Sequence, residues 1–144
     1  MTNQIFSNKV LNISILAWII AQLLKVVFVY IRNKKFDFTR LVGSGGMPSS
    51  HSAFVVALTL SVGKYGGFDS ALFAVSTAFA LVVMYDAAGV RRAAGRQAKI
   101  LNTIIHDMHN NGRFPEEKLK ELIGHTPVEV IAGAIVGAIA AVVL

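Results

Sequence analysis

The chain has 144 residues, enough for one domain, with 54% hydrophobic and only 15% charged residues. Ordinary soluble domains carry about 25% charged residues, and a soluble core does not hide the long uninterrupted apolar runs found here. The absence of cysteine excludes a disulfide framework and a thiolate site, while the net charge of +6 reads as attraction to anionic lipid headgroups, with no nucleic-acid partner expected.

The first apolar run, residues 10–31, is interrupted only by Asn12, Ser14, Gln22 and Lys25. At about 1.5 Å per residue it crosses a hydrocarbon core of about 30 Å. It lacks a cleavage signature and reads as a retained anchor rather than a signal peptide. A polar loop over 32–49 follows. Two further runs, 50–63 and 68–88, are joined by a short Gly-rich connector around Lys64 and Tyr65, which predicts an antiparallel hairpin. The earlier of the two is short for a full span and is expected to start inside the protein. The second polar loop, 89–126, is expected to hold an amphipathic helix over 90–108 and a shorter helix over 115–123 with Pro115 in its first turn. The last run, 127–144, carries Gly133 and Gly137, whose small-xxx-small spacing suits close helix packing. The expected fold is all-α: one polytopic membrane helical bundle of about four transmembrane helices, with amphipathic helices at the cytoplasmic face.

Charge orients this bundle. Arg32, Lys34, Lys35 and Arg40 lie in the first loop; Arg91, Arg92, Arg96, Lys99, Arg113, Lys118 and Lys120 lie in the second. Only Lys9 and Lys64 fall on the opposite side. The positive-inside rule makes the basic side cytoplasmic.

Several polar residues could do chemistry on that side. Lys25 lies within the first span, where an ammonium either snorkels or lines a polar cavity, and Arg32 is seven residues on, near the same helical face. The stretch from Gly43 to Ser52 supplies flexible backbone, and Ser49 or Ser50 can cap the following helix beside His51. A helix start of this kind suits an anion, though an ordinary capped helix reads the same way. Asp86 can pair with Arg91 or Arg92, and Arg91, Arg92 and Arg96 together suit a phosphate. His125 and Glu129 are spaced i, i+4 at the start of the last helix and share a face. A carboxylate on one ring nitrogen fixes the tautomer and makes the other nitrogen more basic, as an activated His nucleophile requires. A simple N-terminal cap pair has the same spacing. His106 and His109 lack a third ligand and read as a solvated amphipathic face.

These pieces resemble the type 2 phosphatidic acid phosphatase and vanadium haloperoxidase superfamily, and more closely its divergent bacterial, haloperoxidase-related branch. Lys25-x6-Arg32 is similar to the superfamily's Lys-x6-Arg-Pro, with Asn33 for Pro. Pro48-Ser49-Ser50-His51 is similar to Pro-Ser-Gly-His, with Ser50 for Gly. His125-x3-Glu129 is similar to the end of Ser-Arg-x5-His-x3-Asp, with Glu for Asp and with Leu119 at the place of the Arg. The extended pattern GGMPSSHSA, YDAAGVRR and GHTPVEV resembles the divergent branch along nearly the whole chain.

The resemblance implies a lipid-phosphate phosphatase that uses no metal or other cofactor and hydrolyses a phosphomonoester or diphosphate. Phosphatidylglycerophosphate is the leading substrate. It implies His125 as nucleophile, His51 as acid and then base, and Glu129 as the group orienting His125. Lys25, Arg32, Ser49, Ser50 and an arginine among Arg91, Arg92 and Arg96 would hold the phosphoryl oxygens, with Asp86 in support. The implied location is a bacterial cytoplasmic membrane, with the site facing the cytoplasm. A homodimer is plausible, because the Gly133/Gly137 face could pair copies. Two other classes share these features: a non-catalytic scaffold that binds anionic lipid, and a small lipid transporter.

Overall fold

The computed structural model describes residues 6–34, 46–110, 119 and 124–144, with the backbone alone at 32–33, 107 and 109–110. Five long helices account for most of them: α1 (Lys9–Asn33), α2 (Ser50–Gly66), α3 (Ala71–Ala88), α4 (Val90–Asn110) and α5 (Pro127–Val143). Four begin where the sequence places a capping side chain: Asn8, Ser49, Ser70 and Thr126 each accept a backbone N–H from the first turn. The all-helical expectation therefore holds. The expected helix over 115–123 lies outside the described residues, apart from Leu119.

The hairpin connector differs from its expected place. Helix α2 runs on to Gly66, and α3 begins at Ala71 rather than residue 68. Phe68 folds back so that its ring covers Gly63, where a Cβ would overlap it. The Ser70 hydroxyl then caps α3 through the Phe73 N–H at 3.2 Å.

Helix α2 is the hub and packs against α1, α3 and α5. Its interior contacts are made by small or hydroxylated residues: Ser52, Ala53, Ala57, Thr59 and Ser61 are all buried. Facing them are Ala17 and Ala21 of α1 and Gly133, Gly137 and Ala140 of α5. Large apolar side chains point outward instead, including Leu23 on α1, Val82 on α3 and Ile135 on α5. Water would penalise that arrangement; lipid does not, and close packing of small residues is how helices associate there. Two stretches, Lys9–Ile31 and Ala71–His106, are long and apolar enough to cross a membrane, and Pro127–Val143 is a shorter apolar helix.

The small-residue face of α5 is occupied within the chain. A Cβ at Gly133 would overlap the Ser49 carbonyl, and one at Gly137 would overlap that of Ala53. The face expected to pair two copies is thus the seam between α5 and α2.

The bundle has two distinct ends. At one, Lys9 and Lys64 flank the Tyr65 ring at 5.7 and 5.6 Å, and the Lys64 ammonium donates to the Ala141 carbonyl at 3.2 Å. At the other lie the end of α1, the start of α2, the α3–α4 junction and the segment entering α5.

Candidate active site

Backbone bonds fix these four segments together. The Ser49 N–H donates to the Glu129 carbonyl at 2.9 Å, which ties the start of α2 to the first turn of α5. The His125 N–H donates to the Ala87 carbonyl at 2.9 Å, which ties the entry to α5 onto the end of α3. Gly124 has φ +95° and sits against the backbone of Arg91 and Arg92, where a Cβ would collide. Both the left-handed backbone and the close approach require glycine there.

His125 is buried, and its Nδ1 lies 3.2 Å from Glu129 Oε2. The same oxygen accepts the Thr126 N–H at 3.0 Å, while Thr126 Oγ1 accepts the Glu129 N–H at 3.3 Å. This is a reciprocal capping box. The two readings left open by the spacing, cap pair and orienting carboxylate, are therefore one arrangement. With Nδ1–H donating to the carboxylate, the neutral ring carries its free lone pair on Nε2. That nitrogen is buried and has no hydrogen-bond partner. Burial pushes the His125 pKa below 6.5 against the opposing Glu129 bond, so the ring is neutral at pH 7.

The His51 ring stands 5.7 Å from that of His125, inclined at 65°, and its Nδ1 is likewise buried without a partner. Lys25 is 1% exposed and within electrostatic reach of both histidines. Gly46, at φ +89°, rests on the aliphatic stem of Lys25, and its backbone also faces His125. Arg91 and Asp86 act electrostatically on His51. They pair with each other, Nε to Oδ2, at 2.6 Å, as the sequence allowed. That bond uses one of the five donors of the guanidinium.

Of the other expected residues, Ser49 and Ser50 are buried at the start of α2. Ser49 is the cap: its Oγ accepts the Ser52 N–H at 3.3 Å and the Ser52 hydroxyl at 3.1 Å. Arg92 and Arg96 are exposed on α4. Arg32 lies in the last turn of α1, with its side chain outside the described residues. Leu119 is bound through its backbone N–H and carbonyl to the Asn102 side chain, both at 2.8 Å. Asn102 is eleven residues beyond Arg91 on α4, roughly 16 Å along the helix. Arg91 is exposed like Arg92 and Arg96, but it is the one of the three that acts electrostatically on His51. His106 is exposed on α4, and among the described residues no group of three His, Asp or Glu could hold a metal. Gly46 and Gly124 were not singled out from the sequence as site residues; their flanking positions beside the motifs were the available signal.

An all-helical membrane protein with a buried histidine, held by a half-buried glutamate and facing a second histidine at one end of its bundle, is the class these features define. The chain belongs to the Divergent PAP2 family, whose pattern matches residues 6–140. It is also 43% identical over 152 residues to a protein of Bacillus subtilis (strain 168) named "Uncharacterized membrane protein YuiD", covering 98% of this chain and 96% of that protein. No solved structure gives a significant match.

Proposed function

We propose that the chain is a membrane lipid-phosphate phosphatase working through a phosphohistidine on His125. The observation that carries this reading is the unpartnered Nε2 of a neutral, Glu129-oriented His125 beside His51. Nε2 attacks phosphorus as the bond to the lipid oxygen breaks, and protonated His51 gives its proton to that leaving oxygen. Water then attacks the phosphoryl group and gives a proton back to His51. The P–N bond breaks, releasing phosphate and restoring neutral His125. Lys25, Arg91, Ser50 and Arg32 hold the non-bridging oxygens as charge redistributes. Ser49 shapes the site as the cap of α2, Asp86 positions Arg91, and Arg92 and Arg96 meet headgroups at the surface. Every step draws on the chain's own groups and uses no metal.

In this reading α1, α2, α3 and α5 all span the bilayer, and the basic end faces the cytoplasm. A cytoplasmic site meets intermediates of phospholipid synthesis, and phosphatidylglycerophosphate ranks ahead of phosphatidic acid and prenyl diphosphates. The test is phosphate release by purified protein in detergent from these three lipids, with His125→Ala as control. Release that requires His125, together with an acid-labile phosphoprotein, supports the reading. No release from folded protein replaces it with a non-catalytic protein that binds anionic lipid, and release indifferent to His125→Ala rejects His125 as the nucleophile.

A further inference from the structure

An apolar groove of about 410 Å³ opens among α1, α2 and α3 and runs to the histidine cluster. Its walls are Ile15 and Trp18 of α1, Phe54 and Val55 of α2, and Phe79 and Val83 of α3. The polar residues in its lining are His51 and Arg91, both members of the candidate site. The lining is graded with depth. Val83 lies one turn before Asp86, Phe54 and Val55 lie one turn beyond His51, and Phe79 lies a turn below Val83. Trp18 and Ile15 precede Lys25 by seven and ten residues, roughly 10 to 15 Å deeper along α1. The groove is open sideways, since Trp18 is 44% and Phe79 52% exposed.

We propose that this groove takes one hydrocarbon chain of a lipid phosphate whose phosphate rests at His125; the position of the phosphate rests on the phosphatase reading. The occupant must be anionic where it meets Arg91 and apolar below, and the open side lets a chain slip in without leaving the bilayer. A second groove, between α1 and α5, is lined by apolar residues alone and does not reach the histidines. Continuity with the site therefore singles out the first. A lipid chain is already in hydrocarbon, so the groove adds little affinity. Its effect is orientation: anchoring the chain holds phosphorus in line with Nε2.

Trp18 is the chain's single tryptophan, so its fluorescence reports on this groove directly. Wild-type protein in phosphatidylcholine vesicles is titrated with a phosphonate analogue of phosphatidic acid carrying bromines on its chain. Brominated phosphatidylcholine at equal mole fraction is the reference. The expected result is saturable quenching by the phosphonate lipid beyond that reference. Val83→Phe narrows the groove near the head and removes the excess while leaving the reference quenching in place. Ile15→Phe, at the deep end, removes it only for bromines near the chain terminus. Equal quenching by the two lipids, or an excess that both variants leave intact, overturns the proposal. The readout needs no turnover. Excess quenching without phosphate release keeps the groove and rejects the phosphatase; release without excess quenching does the reverse.

Discussion

One carboxylate oxygen of Glu129 serves both the ring of His125, at 3.2 Å, and the backbone N–H of Thr126, at 3.0 Å. The turn that starts α5 and the orientation of the His125 ring are therefore set by the same atom. Glu129→Gln keeps an acceptor for both partners and, as a capping-box residue, keeps the helix start. In the phosphatase reading it removes the negative charge that would stabilise positive charge building on His125 during phosphoryl transfer. Phosphate release is expected to fall about 10²-fold or more with little change in Tm. Glu129→Ala should lose activity and, in addition, about 1 kcal/mol of stability with the cap. Detergent unfolding curves and initial rates on the same preparations check both.

Burial also predicts the response to pH. A histidine in the unfolded chain titrates near 6.5, and folded His125 titrates below that. Between the two values the unfolded chain holds more protons. The stability contribution of neutral His125 is complete above pH 6.5 and declines as pH falls through 6.5 toward the lowered value. Comparing wild type with His125→Ala across pH isolates that contribution, and the decline should be shallower in the variant. Single-turnover formation of the phosphoprotein should be flat with respect to His125 above pH 6.5, with its acid limb lying below.

Lys25 offers a separation of folding from binding. Methionine matches its length, so Lys25→Met leaves Gly46 a stem to pack on and keeps the bundle folded. The lost contact to a phosphoryl oxygen corresponds to about 1.5–3 kcal/mol, or roughly 10- to 150-fold in KM for the lipid phosphate. An unchanged KM in folded Lys25→Met protein would remove Lys25 from the phosphate site.

Adding one methyl group at two glycines should have opposite effects. Gly133→Ala drives a Cβ into the Ser49 carbonyl, forces α2 away from α5 and shifts His51 from His125. A cost of about 1–3 kcal/mol and a fall in turnover are expected. Gly66, at the far end of α2, has no atom within 4 Å of an added Cβ. Gly66→Ala should be neutral or stabilising by up to about 1 kcal/mol, with turnover unchanged. Thermal unfolding in one detergent compares them.

Much of this was legible in the sequence because it is local. Apart from the α2–α3 connector, helix limits followed apolar runs, and the His125–Glu129 contact followed from i, i+4 spacing. The Asp86 pair with Arg91 was likewise within reach of five residues. What depended on how distant helices meet was not legible. Spacing cannot say whether the Gly133 face pairs with α2 or with another copy, since both need the same small residues. The choice among Arg91, Arg92 and Arg96 turns on the phase of α4 after Gly89, and Gly124 fixes that phase from outside the helix. The groove draws on four helices, none of which carries a pattern marking it.

The lengths of the helices have a consequence for the surrounding lipid. Helices α2, α3 and α5 have 17, 18 and 17 residues, about 25–27 Å each, against roughly 30 Å of hydrocarbon. In the four-span arrangement proposed above, the bilayer must be pinched where it meets them. Headgroups in that collar are lowered toward His51 and His125, which lie at the ends of these short helices. For the proposed phosphatase, membrane thickness thereby becomes a variable of the reaction: a thin bilayer would present its phosphates at the right depth, and a thick one would hold them above the site.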